Sequence, residues 1–321
     1  MIPKPPPKEG SLGFLFIPPF RVQGTSIAGE STCVQVPELD VTFDLGQCPR
    51  AILSSKFAAI SHGHMDHIGG LAYWCSQRKF QGMGDSTILC HAAIGPAIRR
   101  MMAGYVDLEQ QVTPYNLVEM QPEQEHEIKN NIFIRMFETE HVTGSAGYVI
   151  VEKRSKLKPE YYELPQEKLR ELKEKGVDIT RILQVPLVAY LGDTAPGAPM
   201  LREDVRKAQI VISECTFIEG DHMDRAKIGK HLHLAHIVEW LPLLECQKLV
   251  LVHLSRRSNI LEARKTLRRL VKREHADRVE FLMDHKTNRE RYERQALEAE
   301  RAEALRASPG APSRADFPMR G

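Results

Sequence analysis

No apolar run in this chain approaches the ~20 residues that a membrane-spanning helix needs, so a membrane protein is not expected. Residues 1–10 are rich in proline and carry no apolar secretory core, which argues against export. The cysteines, Cys33, Cys48, Cys75, Cys90, Cys215 and Cys246, are scattered and never form a Cys-x-x-Cys pair. That spacing offers neither a disulfide framework nor a thiolate zinc site; reduced thiols in a cytoplasmic protein are the expectation. Cys90 beside His91 reads as a strand-end cysteine with a surface histidine. Neither sign of charge dominates, with 44 Lys and Arg against 42 Asp and Glu and a net charge of +2. Composition therefore neither demands nor excludes a nucleic-acid partner, and local patches must decide. No tandem repeat is visible, and 321 residues suffice for one large domain or two.

Against these absences stands one dense stretch, Ser61-His62-Gly63-His64-Met65-Asp66-His67. It places four metal-competent side chains, His62, His64, Asp66 and His67, within six positions. The apolar run 57–60 before it reads as a strand, and the pattern after it, from Ile68, reads as a helix. The cluster thus falls on a strand-to-helix loop, where a rigid scaffold can aim several ligands at one point. Neutral imidazoles with carboxylates suit zinc, although manganese or iron accept the same donors.

Apolar runs predict strands at 14–17, 41–43, 57–60, 87–89, 132–136, 148–151, 185–191, 210–213, 248–253 and 279–282. Helical periodicity covers 68–78, 94–104, 232–244 and 258–274. Strands dominate the first half and strand–helix alternation the second, an order that suits an α/β, four-layer αββα sandwich with two central sheets. Residues 153–182 are charged, begin with the basic run 153–158, and read as a surface insertion with an amphipathic helix near 166–175. Residues 287–305 favour a charged helix and then give way to a disordered tail.

A two-metal site needs more donors than one loop supplies. His141 follows the strand at 132–136, Asp193 closes the strand at 185–191 on a Gly-Asp-Thr turn, and His253 ends the strand at 248–253. Sorted by donor type, His62, His64 and His141 serve one zinc, and Asp66, His67 and His253 the other. Asp193 bridges, because a carboxylate has lone pairs on both oxygens. Two such ions about 3.5–4 Å apart lower the pKa of a water between them and clamp a phosphoryl centre.

The pattern His62-x-His64-x-Asp66-His67 with His141, Asp193 and His253 resembles the metallo-β-lactamase superfamily. Within it the chain is similar to ribonuclease Z, the tRNA 3′-processing endonucleases. Ser213-Glu214-Cys215-Thr216-Phe217 resembles that family's Glu-Ser-Thr-Phe segment, and His253-Leu254-Ser255-Arg256-Arg257 its His-x-Ser-x-Arg box. His231 stands at the spacing of the family's catalytic histidine. The short plant-type form is the nearest likeness, through Glu30-Ser31-Thr32-Cys33, Phe43-Asp44-Leu45-Gly46-Gln47-Cys48-Pro49, Lys156-Leu157-Lys158-Pro159-Glu160-Tyr161 and Gly176-Val177-Asp178-Ile179-Thr180. The resemblance spans residues 24–282.

The resemblance falls within an expected catalytic domain over 11–285, interrupted by the charged insertion 153–182, between a disordered stretch at 1–10 and a charged helix and tail at 286–321 that composition alone suggests. It implies a homodimeric cytoplasmic enzyme holding two Zn2+ per subunit (Mn2+ or Fe2+ in their place) that cuts the 3′ trailer from precursor tRNA. Asp66 would be both ligand and proton acceptor for the attacking water. Glu214 and His231 would form a carboxylate–imidazole pair that protonates the leaving 3′-oxygen, while Ser255 and Arg257 would hold phosphate or steady the ligands. The family's His-Ser-Thr is His231-Leu232-His233 here, so His233 competes for the donor role, with spacing favouring His231. The family's glycine- and proline-rich arm is not evident; residues 153–182 occupy its place. The alternative activity is hydrolysis of small phosphodiesters such as cyclic nucleotides, or of esters or thioesters, which the same ligands permit.

Overall fold

A computed structural model describes residues 1–7 and 12–307. The tail expected at 308–321 and part of the proline-rich stretch, residues 8–11, lie outside the described residues. Among the described residues, fourteen strands form two mixed seven-stranded sheets. The first runs in chain order through β1 (Gly13–Ile17), β2 (Phe20–Ile27), β3 (Ser31–Val36), β4 (Val41–Phe43), β5 (Phe57–Ile60), β6 (Thr87–His91) and β7 (Asn116–Met120). The second contains β8 (Glu125–Lys129), β9 (Ile132–Glu138), β10 (Ala146–Leu157), β11 (Thr180–Tyr190), β12 (Ile210–Glu214), β13 (Lys248–Val252) and β14 (Val279–Phe281).

Three apolar layers hold the αββα sandwich together. Between the sheets, Phe43, Phe57 and Val34 of the first meet Tyr148, Tyr190 and Ile212 of the second. Outside the first sheet, Trp74 of helix Leu71–Phe80 and Ile98 and Met102 of helix Gly95–Glu109 cover Ile60 and Ile88. Outside the second, Ile237 and Trp240 of helix Leu234–Trp240 and Leu267 of helix Ile260–Leu270 cover Val211 and Leu251. Central strands covered on both faces read as near-continuous apolar runs, which is why β5, β12 and β13 are plain in the sequence.

Strands β2 and β3 escape that reading because they bury polar side chains in cross-strand pairs. The Gln23 amide donates to Gln35 at 2.7 Å, and Ser26 and Thr32 share a hydrogen bond of 3.1 Å. Such pairs stabilise a sheet as apolar ones do, but leave no hydrophobic alternation to detect. Strands β7 and β8 also have no counterpart in the expected set. Gly69-Gly70 splits the helix expected at 68–78, which becomes Met65–Ile68 and Leu71–Phe80.

The charged stretch 153–182 continues two core strands. Strands β10 and β11 pair antiparallel out to Leu157 and Thr180, and helix Gln166–Glu174 lies in their connection. Its basic run is largely neutralised. Lys153 binds Glu125 at 2.5 Å, Arg154 binds Glu152 at 2.6 Å and Lys158 reaches Asp178 at 3.4 Å. The run thus keeps one cation without a carboxylate partner among the described residues, Lys156.

Strands β4–β7 run parallel in one sheet and β11–β14 in the other. Ligands gather at the carboxyl ends of parallel strands, where the chain turns outward. Gly192 makes one such turn. Its φ is +61°, and a Cβ there would lie 2.7 Å from the Ser61 Cβ. No helix among the described residues is long and apolar enough to cross a membrane. Gly192→Ala is expected to destabilise the fold by about 1–3 kcal/mol through this backbone strain and collision, read as a lowered urea midpoint; an unchanged midpoint would show that the turn relaxes freely.

Candidate metal centre

The ligand-rich loop leaves the end of β5 and is fastened to the segment after β4. Leu45 N–H donates to the His67 carbonyl at 2.7 Å, and Gly70 N–H to the Leu45 carbonyl at 2.6 Å. Gly46 admits this approach because a Cβ there would fall 1.9 Å from the Asp66 carbonyl oxygen. His141 arrives after β9, Asp193 after β11 and His253 after β13. His253 takes a left-handed φ of 56°, with its N–H held by the Ser26 hydroxyl at 2.8 Å. That strained backbone aims its ring.

Two donor groups result. In the first, the His64 Nδ1 lies 2.9 Å from His62 Nε2 and 3.2 Å from His141 Nε2. In the second, His253 Nε2 lies 3.2 Å from His67 Nε2 and 3.4 Å from Asp66 Oδ2. The Asp193 Oδ2 stands between them, 3.4 Å from His67, 3.5 Å from His253, 3.8 Å from His62 and 3.9 Å from His141. Donors about 2.0–2.1 Å from a tetrahedral ion sit about 3.3 Å from one another. The separations therefore suit a shared cation in each group better than direct hydrogen bonds between imidazoles.

The outer nitrogens of four of these imidazoles are fixed as donors. His67 Nδ1–H donates to Asp44 at 2.8 Å, and His141 Nδ1–H to the Lys230 carbonyl at 3.2 Å. The Ser61 hydroxyl donates to Asp44 at 2.8 Å and so accepts from His62 Nδ1–H at 2.9 Å. The Thr216 hydroxyl donates to Glu214 at 2.5 Å and accepts from His253 Nδ1–H at 3.0 Å. Each Nε2 is left with an inward lone pair, the form a metal requires.

The electrostatics agree with the donor count. Burial drives the pKa of His62 down to about 3 and also lowers that of His141, so both rings favour the neutral form in which an imidazole can bind a metal. Burial works against a proton on His67 too, yet Asp193 and Asp44 outweigh it and raise its pKa well above the ordinary value. The carboxylates that would draw a proton there would draw a cation equally well. Burial lifts the thiols of Cys33, Cys48, Cys75 and Cys90 to about 12, which removes them as thiolate ligands.

Glu214, at the end of β12, is fully buried and accepts Thr194 N–H at 2.9 Å as well as His231 Nδ1–H at 3.0 Å. Burial disfavours the charged His231 ring, but the attraction and hydrogen bond of Glu214, helped by Asp193, hold its pKa up at about 9. His233 goes elsewhere. Its Nδ1 accepts Ala235 N–H at 3.0 Å, capping helix Leu234–Trp240, and its Nε2–H donates to the Glu219 carbonyl at 2.9 Å. The two candidates are thereby separated by position: His231 borders the ligand cluster and His233 is a helix cap. The hydroxyl of Ser255 accepts the Arg257 backbone N–H at 3.4 Å, and the Arg257 guanidinium is exposed without a partner among the described residues. Ser255 N–H donates to the Thr216 carbonyl at 3.3 Å, at the edge of the cluster, whereas the Arg257 side chain makes no such contact among the described residues. Sequence reasoning assigned no role to Asp44, Ser61, Tyr190 or Thr216. Asp44 was visible only as part of Phe43-Asp44-Leu45-Gly46, yet it also accepts Ser61 N–H at 2.7 Å and the Tyr190 hydroxyl at 2.6 Å.

The family model described as "Anti-Pycsar protein Apyc1" matches residues 40–276. The chain is 33% identical over 246 residues to tRNase Z TRZ1 of Arabidopsis thaliana, covering 76% of this chain and 88% of that one. Among solved structures, the metallo-β-lactamase fold protein YhfI from Bacillus subtilis superposes with a TM-score of 0.52 at 15% identity, over 84% of this chain and 94% of that one. Human tRNase Z, short form (ELAC1), gives 0.52 at 18% identity over 77% and 93%. At those identities the two structures show the fold alone.

Asp44→Asn would set an amide N–H2 against groups that donate to Asp44 and loosen His62 and His67 together. Metal affinity is expected to fall about 10–100-fold, the usual cost of losing a ligand-orienting partner, in a competition titration with a chromogenic chelator; wild-type affinity would mean that Asp44 only stabilises the fold.

Proposed function

Because this chain belongs to the ribonuclease Z-like metallo-β-lactamase superfamily, in the family described as Anti-Pycsar protein Apyc1, we propose that it is a dinuclear zinc endoribonuclease that removes the 3′ trailer from precursor tRNA. The observation that carries the reading is the Glu214–His231 pair. It puts a charged imidazole against the ligand cluster, where a hydrolase of neutral acyl groups has little need of one. Two divalent cations held by His62, His64, His141, Asp66, His67, His253 and Asp193 would polarise a phosphodiester and a water.

The chain's own groups then divide the proton work. Asp66 accepts the proton of the attacking water. Burial works to raise its pKa, but His253 and His67 outweigh that and hold it well below the usual carboxylate range, so it is ionised. His231, anchored through Nδ1, presents Nε2–H to the leaving 3′-oxygen, and Glu214 stabilises the charge it carries before transfer. The cut would leave a 3′-hydroxyl on the tRNA and a 5′-phosphate on the trailer. Arg257 and Ser255, on the loop after β13, are assigned to the substrate backbone. Folded tRNA would be recognised by shape, with the single-stranded trailer entering the cluster. The family likeness brings a homodimer and a cytoplasmic location into the same reading.

A second reading, hydrolysis of small phosphodiesters such as cyclic nucleotides, or of esters or thioesters, is favoured by one feature: the run at 153–158 keeps a single free cation, Lys156. A small substrate needs no long electrostatic track.

The deciding experiment is cleavage of 5′-labelled precursor tRNA, mapped to the nucleotide, beside His64→Ala. One metal-dependent cut after the discriminator, lost in the variant, supports the endonuclease; an intact tRNA with turnover of bis-p-nitrophenyl phosphate moves the substrate to something small. His231→Ala is expected to slow cleavage by about 10²–10⁴-fold with zinc content unchanged. Loss of zinc would make His231 a ligand instead. His231 carries its proton below its raised pKa and loses it above, so the rate should fall at alkaline pH, and Glu214→Gln should move that fall to lower pH.

A further inference from the structure

The ring of His231 touches more than the ligand cluster. Its centroid lies 4.8 Å from that of His141, 5.5 Å from that of His253 and 6.2 Å from that of Phe217. Phe217 is only partly buried, unlike the phenylalanines of the inter-sheet core. The guanidinium of Arg225 lies over its ring at 5.4 Å, and His222 meets it edge-on at 5.8 Å.

These groups are held in place. Phe217 N–H donates to the Leu232 carbonyl at 3.3 Å, and Leu234 N–H to the Phe217 carbonyl at 2.9 Å, which locks the ring beside the His231 segment. Arg225 donates to His222 Nε2 at 3.3 Å, and His222 Nδ1 approaches Glu219 at 3.3 Å. Arg225 itself is exposed and has no carboxylate partner among the described residues, whereas Arg21, Arg135, Arg202 and Arg256 all sit on carboxylates. A cation parked on an aromatic ring with no counter-ion, beside the proton donor, is a surface made for a flat, electron-rich group close to a phosphate.

We propose that Phe217 and Arg225, steadied by His222, form a nucleobase-stacking site for the leaving nucleoside, the last nucleotide that the cut RNA keeps. This rests on the reading of His231 as donor to the leaving oxygen: a nucleoside released next to His231 is released next to Phe217. Stacking on an aromatic ring and a guanidinium accepts any base, so the site fixes position more than sequence.

The test is binding, by calorimetry on zinc-loaded protein, of adenosine 3′-monophosphate against ribose 3-phosphate. The wild type is expected to favour the nucleotide by about 5- to 150-fold, the usual worth of one stacked base. Phe217→Leu should erase that preference and leave the affinity for ribose 3-phosphate intact, which also certifies the fold. Arg225→Ala, a surface change, should reduce it in part. Equal affinities in the wild type, or a preference that survives both substitutions, would overturn the proposal. A preference that stands while precursor tRNA is left uncut supports the base site and removes only the tRNA reading. A tRNA cut without any base preference removes only the base site.

Discussion

The Asp193 carboxylate is the constraint on which the site depends. One oxygen of a nearly fully buried side chain lies within 3.9 Å of four imidazoles belonging to two donor groups. A buried carboxylate is costly unless cationic partners surround it. Neutral imidazoles supply directionality but no charge, and with His62 held neutral the compensation must come from elsewhere. Part of it comes at His67, where Asp193 and Asp44 outweigh burial and raise the pKa of the ring well above the ordinary value. Divalent ions between the donors would supply it more fully, and the inter-donor spacing leaves room for them.

Geometry on this scale needs both sheets. His62, His64, Asp66 and His67 come from the first, and His141, Asp193, Glu214 and His253 from the second, so the inter-sheet core sets the distance between the two halves of the site. The core residues nearest the ligands take part directly. Tyr190 stacks on Phe43 at 4.7 Å while its hydroxyl donates to Asp44, joining apolar packing to ligand orientation in one side chain. Thr216 links chemistry to binding in a similar way: its hydroxyl spends its proton on Glu214 and its lone pair on His253. The carboxylate that raises the pKa of His231 thus also sets the tautomer of a ligand on the other side of the cluster. A change at Glu214 is therefore felt in two places.

How much of this could be read from the chain depends on what each residue leaves in the sequence. The sandwich and the strands β5, β12 and β13 were legible because doubly covered strands are apolar throughout, and the ligands stand at their ends. Strands β2 and β3 were not, since Gln23, Gln35, Ser26 and Thr32 disguise buried positions as polar. Spacing favoured His231 over His233, but the physical reason, that the His233 ring caps helix Leu234–Trp240, left no mark in the spacing. Asp44 was hidden for another reason. It lies 17 to 23 positions from the side chains it orients, and only the parallel pairing of β4 with β5 brings it beneath them.

The same logic bears on substrate. The donor set is indifferent to what the phosphate carries, so discrimination has to come from the rim. There the basic run 153–158 is mostly consumed: Lys153, Arg154 and Lys158 are tied to Glu125, Glu152 and Asp178, and an internal ion pair offers a phosphate little. Among the cations that keep no carboxylate partner among the described residues are Lys156 on the β10–β11 arm, Arg257 on the loop after β13 and Arg225 on the ring of Phe217. Separated charges such as these bind a polynucleotide less strongly by counter-ion release than a continuous patch does. They can fix a polynucleotide at a few points while its shape supplies the rest. Recognition would then rest on placing one phosphate and one base at the cluster, with the folded body of the substrate held by fit and only weakly by charge.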